Sequence, residues 1–288
     1  MVTLNDYDSD FENKWCPGCG NFGILKAMKT ALVELGLAPH EIVIFSGIGQ
    51  SSKTPHFLKC NMFHSLHGRA LTLATGAKVA NHGLTVLVSS GDGDCYGEGG
   101  NHFLHAVRRN VDLTLLVHNN KIYGLTKGQA SPTSDRGMVT KAQPKGVILE
   151  PFNPLAVALA LRASFIARGF SGKIDQLSRL IQAGIRHRGF SLIDILQPCP
   201  SFNHLQTFKW YTNRVYDLEQ EEDYDPTDYA KALDLAQQWG DRIPTGIIFR
   251  EERPSFTDQI EVLREGSLLE RPYDPNRLRE FLAQMEPG

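Results

Sequence analysis

Five short apolar runs, each closed by Gly, Asn or Pro, alternate with amphipathic stretches along the first 200 residues. This alternation limits the fold more than any other feature of the chain. The runs are EIVIFSG (41–47), LTVLVSS (84–90), VDLTLLVHN (111–119), ASFIARG (163–169) and FSLIDILQP (190–198). Each is a compact apolar run, as a strand buried on both faces should be. Between them lie GILKAMKTALVELG, RALTLATGAKVA, HFLHAVRR, PLAVALAL and IDQLSRLIQAGIRH, amphipathic at helical spacing. Strand and helix in turn imply βαβ units with right-handed crossovers. The expected fold class is α/β, a parallel sheet with helices on both faces. With 288 residues and 41% hydrophobic content the chain can bury such a core.

From about residue 205 the character changes. Aromatics and acids dominate TFKWYTNRVYDLEQEEDYDP, followed by the helix-like DYAKALDLAQQWG and by GIIFREERPSF. Residues 1–204 therefore read as the main domain, and 205–288 as a C-terminal extension packing on a partner subunit or on the same domain. The net charge of −2 comes without a basic stripe or charge block, which argues against nucleic acid or membrane as a partner. The longest apolar run, Leu155 to Leu161, is far shorter than a membrane span. The acidic, polar start MVTLNDYDSDFENKW does not read as a signal peptide, so a cytoplasmic location is expected. There, five cysteines suggest metal or catalysis before disulfides.

The segment GDGDCYGEGG (91–100) places five glycines beside Asp92, Asp94 and Glu98, just past a strand end. In a parallel sheet, residues past the strand ends gather on one edge, where ligands bind. Asn120, in HNNKIYGLTKG, follows Asp92 by 28 residues, about one crossover. A carboxylate and a carboxamide at one edge are hard oxygen donors suited to Mg²⁺. That ion keeps open positions for phosphate, so a diphosphate is the natural third party. The glycines let backbone N–H groups approach it, and a helix expected from Gly100 offers a positive N-terminus. A plain turn remains the alternative for GDG alone. Cys95, Glu98, His102 and His105 read as helix-entry and packing residues. WCPGCG (15–20) holds a C-x-x-C that by itself fits a redox pair, half a zinc site or half an iron–sulfur site.

The GDG–NN pair resembles the thiamine diphosphate fingerprint. Taken in order, WCPGCGN, SGIGQSSK, LHGRA, GDGD, HNNKIYGLTKGQASPT and QPCPSFN resemble the β subunit of 2-oxoacid:ferredoxin oxidoreductases. The resemblance covers nearly the whole chain, including WGDRIPTGIIFREERPSF. It implies a thiamine diphosphate-binding fold in which Asp92, Asn120 and the Ile122 carbonyl hold Mg²⁺. Gly91, Gly93 and Asp94 would line the diphosphate, Gly47, Ile48 and Gly49 would pass under the cofactor, and His67 and Gly68 would touch it from the next loop. Tyr123, Gly124, Leu125 and Thr126 would form the wall between cofactor and substrate. Lys53 corresponds to a residue near the substrate carboxylate, and Lys127 to one implicated in recognising coenzyme A.

The resemblance also implies one 4Fe–4S cluster in which Cys16, Cys19 and Cys199 are ligands. Relatives carry Cys where this chain has Gln50, and thiolates suit iron–sulfide better than a carboxamide. Cys60 lies ten residues on, within reach of a loop, and is the expected fourth ligand, leaving Cys95 free. The implied reaction is coenzyme A-dependent oxidative decarboxylation of a 2-oxo acid with electrons passed through the cluster to ferredoxin, or its reverse, fixing carbon dioxide. QSSKTPHFLKC and the tail resemble 2-oxoglutarate enzymes more than pyruvate ones. An α subunit would supply the pyrimidine-binding domain and the activating Glu, in an αβ or (αβ)₂ assembly. The alternatives are a pyruvate or broad-specificity enzyme, a non-oxidative thiamine diphosphate lyase without iron, or a scaffold subunit with structural zinc.

Overall fold

The structure, a computed structural model, describes residues 1–264, 266–272 and 274–285. Seven of its strands are β1 (Ile42–Ser46), β2 (Asn61–His64), β3 (Thr85–Gly91), β4 (Leu113–Asn119), a small hairpin of β5 (Ile122–Tyr123) and β6 (Gln129–Ala130), and β7 (Phe165–Phe170). They are followed by β8 (Phe190–Leu196), β9 (Val215–Asp217) and β10 (Ile243–Arg250). Eight of these form one sheet in the order β2-β1-β3-β4-β8-β7-β10-β9. Every pairing in it is parallel except β10 on β7.

Among the described residues, the sheet and its connections are flanked by α1 (Asn21–Glu34), α2 (Ala70–Ala80), α3 (Gly100–Arg109), α4 (Pro154–Ala160), α5 (Ile174–Arg186), α6 (Phe208–Thr212) and α7 (Tyr229–Gln237). One face of the sheet is covered by α1 and α5. Ile24, Ala27, Met28, Ala31 and Leu32, at helical spacing, meet Leu177, Leu180 and Ile181 over Ile44, Leu87, Leu116 and Ile193. The other face packs Ala74, Phe103, Leu155 and Leu235, from α2, α3, α4 and α7, over Leu115, Ile166 and Leu192. The strands run apolar on both faces because both are covered.

All five expected strands and the five helices that alternate with them are present. The sheet also contains three strands that the pattern of apolar runs did not announce. β2 is a fully exposed edge strand of four residues, NMFH, too short and too solvated to read as a buried run. β9 is likewise short, whereas β10 (IPTGIIFR) lies in the segment expected as an extension and pairs with β7 inside the main sheet. Among the described residues no helix is long and apolar enough to cross a membrane.

Candidate active site

The C-terminal ends of β1, β3 and β4 open onto one cleft. It is lined by Ile48, Gly49, Gln50 and Ser51 after β1, by His67 before α2, and by Gly91, Asp92, Gly93 and Asp94 after β3. Asn120, Ile122, Tyr123, Gly124, Leu125 and Thr126, after β4, close the opposite side. Parallel topology explains the convergence, because neighbouring strands that point the same way end together.

Asp94 clamps three of these segments. Its Oδ1 accepts the Ile48 N–H at 3.1 Å and the Gly68 N–H at 2.8 Å, and its Oδ2 accepts the Ser90 hydroxyl at 2.6 Å. His67 Nδ1 lies 2.6 Å from the same Oδ1 but out of line for a hydrogen bond. The packing leaves no room at Gly47, where a Cβ would fall 1.9 Å from Asp94 Oδ2. Gly68 takes φ +69° with the backbone of Glu98 and Gly99 against it. Gly47 and Gly68 therefore shape the cleft from behind its lining. The chain after Asp92 turns at once into a wide π-type helical turn, Gly93–Glu98, before α3 begins. The N–H groups nearest the cleft belong to that turn and not to the start of α3, a geometry common at functional sites. A Cβ on Gly93 would fall 2.3 Å from Cε1 of the Tyr123 ring, whose hydroxyl donates to Glu98 at 3.1 Å.

Asp92 is buried, and desolvation pushes its carboxyl above the ordinary value against hydrogen bonds that pull it down. Ser131 Oγ donates to its Oδ2 at 2.5 Å. Thr133 Oγ1 stands 2.6 Å from that oxygen and 2.9 Å from Asn119 Oδ1, so its one proton bridges both acceptors. A carboxylate so far from water is suited to a divalent cation, which offsets the cost of burying charge. Asn120 Oδ1 accepts the Ile122 N–H at 3.0 Å, and Lys121 between them takes a left-handed φ of +60°. That turn brings both Asn120 and Ile122 into the lining of the cleft, across from Asp92. Ser131, Thr133 and Asn119 had no marker of their own in the sequence beyond lying in or beside the motif that carries Asn120.

Two expected residues stay outside this lining. Lys53 sits half-buried on the 3₁₀ turn Ser51–Phe57, two residues beyond Ser51. Lys127 is exposed at the tip of the β5–β6 hairpin with φ +83°.

The cysteines divide. The Cys16–Cys19 turn is closed by Cys19 N–H on Cys16 O at 3.0 Å and is joined to the end of β8 by Gly20 N–H on Pro198 O at 3.1 Å. Gln197 Nε2 donates to Cys19 Sγ at 3.4 Å. Burial raises the Cys19 thiol to about 11, and the neighbouring thiols of Cys199 and Cys16 add to the rise. Trp15 Nε1 donates to Gln50 O at 2.8 Å, so this turn also meets the loop after β1, where Gln50 Oε1 is buried without a partner. Cys60 is elsewhere. It immediately precedes β2, whose first residue is level with Val43 on β1, so it lies at the N-terminal edge of the sheet. Cys199 lies beyond the opposite edge, about 20 Å away along strands of this length. Cys60 packs against the α1 cluster, and desolvation alone pushes its thiol to about 12. The expectation of Cys60 as fourth ligand is therefore corrected: sequence distance allowed it, but pairing of β2 with β1 carries it away. Among the described residues no three His, Cys, Asp or Glu side chains close around a single metal ion.

Comparisons with known proteins agree with this geometry. Residues 46–195 match the family described as thiamine pyrophosphate enzyme, C-terminal TPP binding domain. Residues 199–265 match the family described as the C-terminal part of the pyruvate ferredoxin oxidoreductase beta subunit. The chain is 47% identical over 271 residues to a 2-oxoacid:ferredoxin oxidoreductase subunit beta of Saccharolobus solfataricus, covering 90% of this chain and 89% of that one. It is 34% identical over 253 residues to the 2-oxoglutarate synthase subunit KorB of Methanocaldococcus jannaschii, covering 87% and 92%. A solved structure of 2-oxoglutarate:ferredoxin oxidoreductase from Magnetococcus marinus, with 2-oxoglutarate, coenzyme A and succinyl-CoA bound, superimposes with a TM-score of 0.91. Identity there is 38%, over 99% of this chain and 97% of the other. With a thiamine diphosphate-type cleft at the sheet edge and relatives matched over nearly their full length, the chain belongs to the β subunits of the 2-oxoacid:ferredoxin oxidoreductases, enzymes in which β works with an α partner.

Proposed function

We propose that this chain is the diphosphate-binding half of an enzyme that converts 2-oxoglutarate and coenzyme A to succinyl-CoA and carbon dioxide, with electrons delivered to ferredoxin. The observation that carries the reading is the single cleft in which Asp92, Asn120 and Ile122 meet the glycine-rich turns after β1 and β3. Asp92, Asn120 and the Ile122 carbonyl would hold Mg²⁺, and Gly91 and Gly93 would let backbone approach the diphosphate. Thiamine diphosphate, when bound, supplies the electron sink that decarboxylation of a 2-oxo acid requires. His67, Gly49 and the wall Tyr123–Thr126 would orient the cofactor and keep water from it. Lys53 would hold the substrate carboxylate as a point charge, and Lys127, on an exposed hairpin tip, would meet coenzyme A phosphates at the rim.

Cys16, Cys19 and Cys199 would hold an iron–sulfur cluster at the same sheet edge. They supply one thiolate fewer than the four a 4Fe–4S cluster ordinarily takes. The cleft is open on one side, with Leu66 and Leu125 exposed near it, which suits an α subunit bringing the pyrimidine-binding domain and its Glu. A cytoplasmic αβ or (αβ)₂ enzyme, able to run in reverse to fix carbon dioxide, is consistent with this reading.

Support for 2-oxoglutarate comes from the Magnetococcus marinus and Methanocaldococcus jannaschii relatives. The test is co-purification with the α subunit and measurement of coenzyme A-dependent ferredoxin reduction. A kcat/KM for 2-oxoglutarate roughly tenfold or more above that for pyruvate is expected. A preference for pyruvate would overturn the substrate assignment. Carbon dioxide release without ferredoxin reduction would favour the non-oxidative lyase.

A further inference from the structure

One face of the sheet turns from apolar to charged just beneath the cleft. Val117 of β4 is level with Asp194 of β8, and Asp194 is level with Arg168 of β7. Side chains alternate along a strand, so Asn119 shares the face of Val117 and Asp194. Lower on that face lie Leu113, Leu115, Ile166, Phe190 and Leu192, all buried. At its top are Asn119, Asp194 and Arg168, each more than nine-tenths buried. A carboxylate and a guanidinium are costly there, and among the described residues no salt bridge joins them.

The partners of Asp194 suggest why it is kept. Tyr96 OH donates to its Oδ2 at 2.8 Å, and Asn119 Nδ2 donates to Oδ1 and Oδ2 at 3.1 and 3.2 Å. Tyr96 stands on the π turn that leaves Asp92, and Asn119 directly precedes Asn120. One acid on a third strand thus grips both loops whose side chains must share an ion. The grip continues outward. With its NH₂ turned to Asp194, Asn119 presents Oδ1 to Thr133 Oγ1, which reaches Asp92 Oδ2. Lys121 Nζ fastens the far side of the same loop by donating to Thr133 O and Asp135 Oδ1, both at 2.7 Å.

We propose that Asp194 is a positioning residue for the metal–diphosphate site, setting Asp92 and Asn120 to one spacing through Tyr96, Asn119 and Thr133. Metal ligand distances tolerate only about 0.2 Å, so two loops free to shift independently would lose affinity. The inference rests on the reading of the cleft given above, and the experiment separates the two. Mn²⁺ replaces Mg²⁺ as the probe, and the free ion is quantified by electron spin resonance in the αβ complex with thiamine diphosphate. Asp194→Asn and Thr133→Val should each weaken Mn²⁺ binding roughly 10- to 100-fold, the range seen when outer-shell partners of a metal ligand are removed. Thr133→Ser, which keeps the hydroxyl, should restore near-normal affinity, which a role in packing alone would not predict. If Asp194→Asn does not assemble, Tyr96→Phe and Thr133→Val decide. Wild-type binding of Mn²⁺ with equal affinity in the variants would overturn the positioning role and leave the cleft assignment intact. No Mn²⁺ binding by the wild-type complex would overturn both.

Discussion

At the scale of single residues, the cleft depends on atoms that are absent. A methyl group at Gly47 would overlap Asp94 Oδ2, and that carboxylate cannot retreat because Ile48, Gly68 and Ser90 hold it. Gly47→Ala should therefore displace the clamp, lower stability by about 1–3 kcal/mol and weaken thiamine diphosphate binding at least about tenfold. Gly100, the first residue of α3, has open space within 4 Å of where a Cβ would stand, and its φ is not positive. Gly100→Ala should leave binding unchanged and raise stability by up to about 1 kcal/mol through backbone entropy. Scanning calorimetry with cofactor titration on the αβ complex measures both. Indistinguishable behaviour of the two variants would show that the Asp94 clamp does not shape the site. Asp92 shows the converse, a polar atom kept where water is excluded, with two hydroxyls as its neighbours.

At the scale of elements, strand pairing decides which cysteines can act together. The turn that precedes α1 is drawn to the end of β8 by Gly20 on Pro198, and α1 itself is tied to β4 by His118 Nδ1 donating to Asn21 Oδ1 at 2.8 Å. Burial pushes His118 down to about 3, so it stays neutral and keeps that bond at neutral pH. Cys16, Cys19 and Cys199 are thereby gathered at the C-terminal edge, while β2 holds Cys60 at the other. Iron analysis of the αβ complex should find full iron in Cys60→Ser, with at most a modest loss of stability from a polar group in the α1 cluster. Cys199→Ser should lose most of its iron. Iron loss in Cys60→Ser alone would place the cluster on the wrong side of the sheet in this account.

At the scale of the whole molecule, the C-terminal third completes the sheet. β10 covers the open edge of β7 through Gly246–Arg250, and buries Ile243, Ile247, Ile248 and Phe249. α7 adds Ala232, Leu235 and Ala236 to the core over the same face. A chain ending at residue 204 would expose that apolar surface and leave β7 as an unpaired hydrophobic edge, a template for aggregation. We expect it to be insoluble or to lack cooperative unfolding, while the full chain melts in one transition, as circular dichroism can test. A soluble, cooperatively melting 1–204 fragment would show that the later strands only decorate a self-sufficient domain.

The sequence alone determined the parallel core, because buried strands and amphipathic helices have periods that no tertiary contact needs to supply. It also determined the diphosphate edge. GDGD and HNN follow consecutive strands of that core, and parallel strands end together. What it left open depends on pairing between distant segments. β2 is four exposed residues with no apolar pattern, and only its hydrogen bonds to β1 carry Cys60 away from the other thiols. β10 reads locally as a tail, yet its partner β7 lies some 80 residues earlier and runs the opposite way. Asp194 and Arg168 sit in segments that read as plain buried strands. Their position beneath Asp92 follows from strand order and register, which are set by packing across the whole sheet and not by any local run of residues.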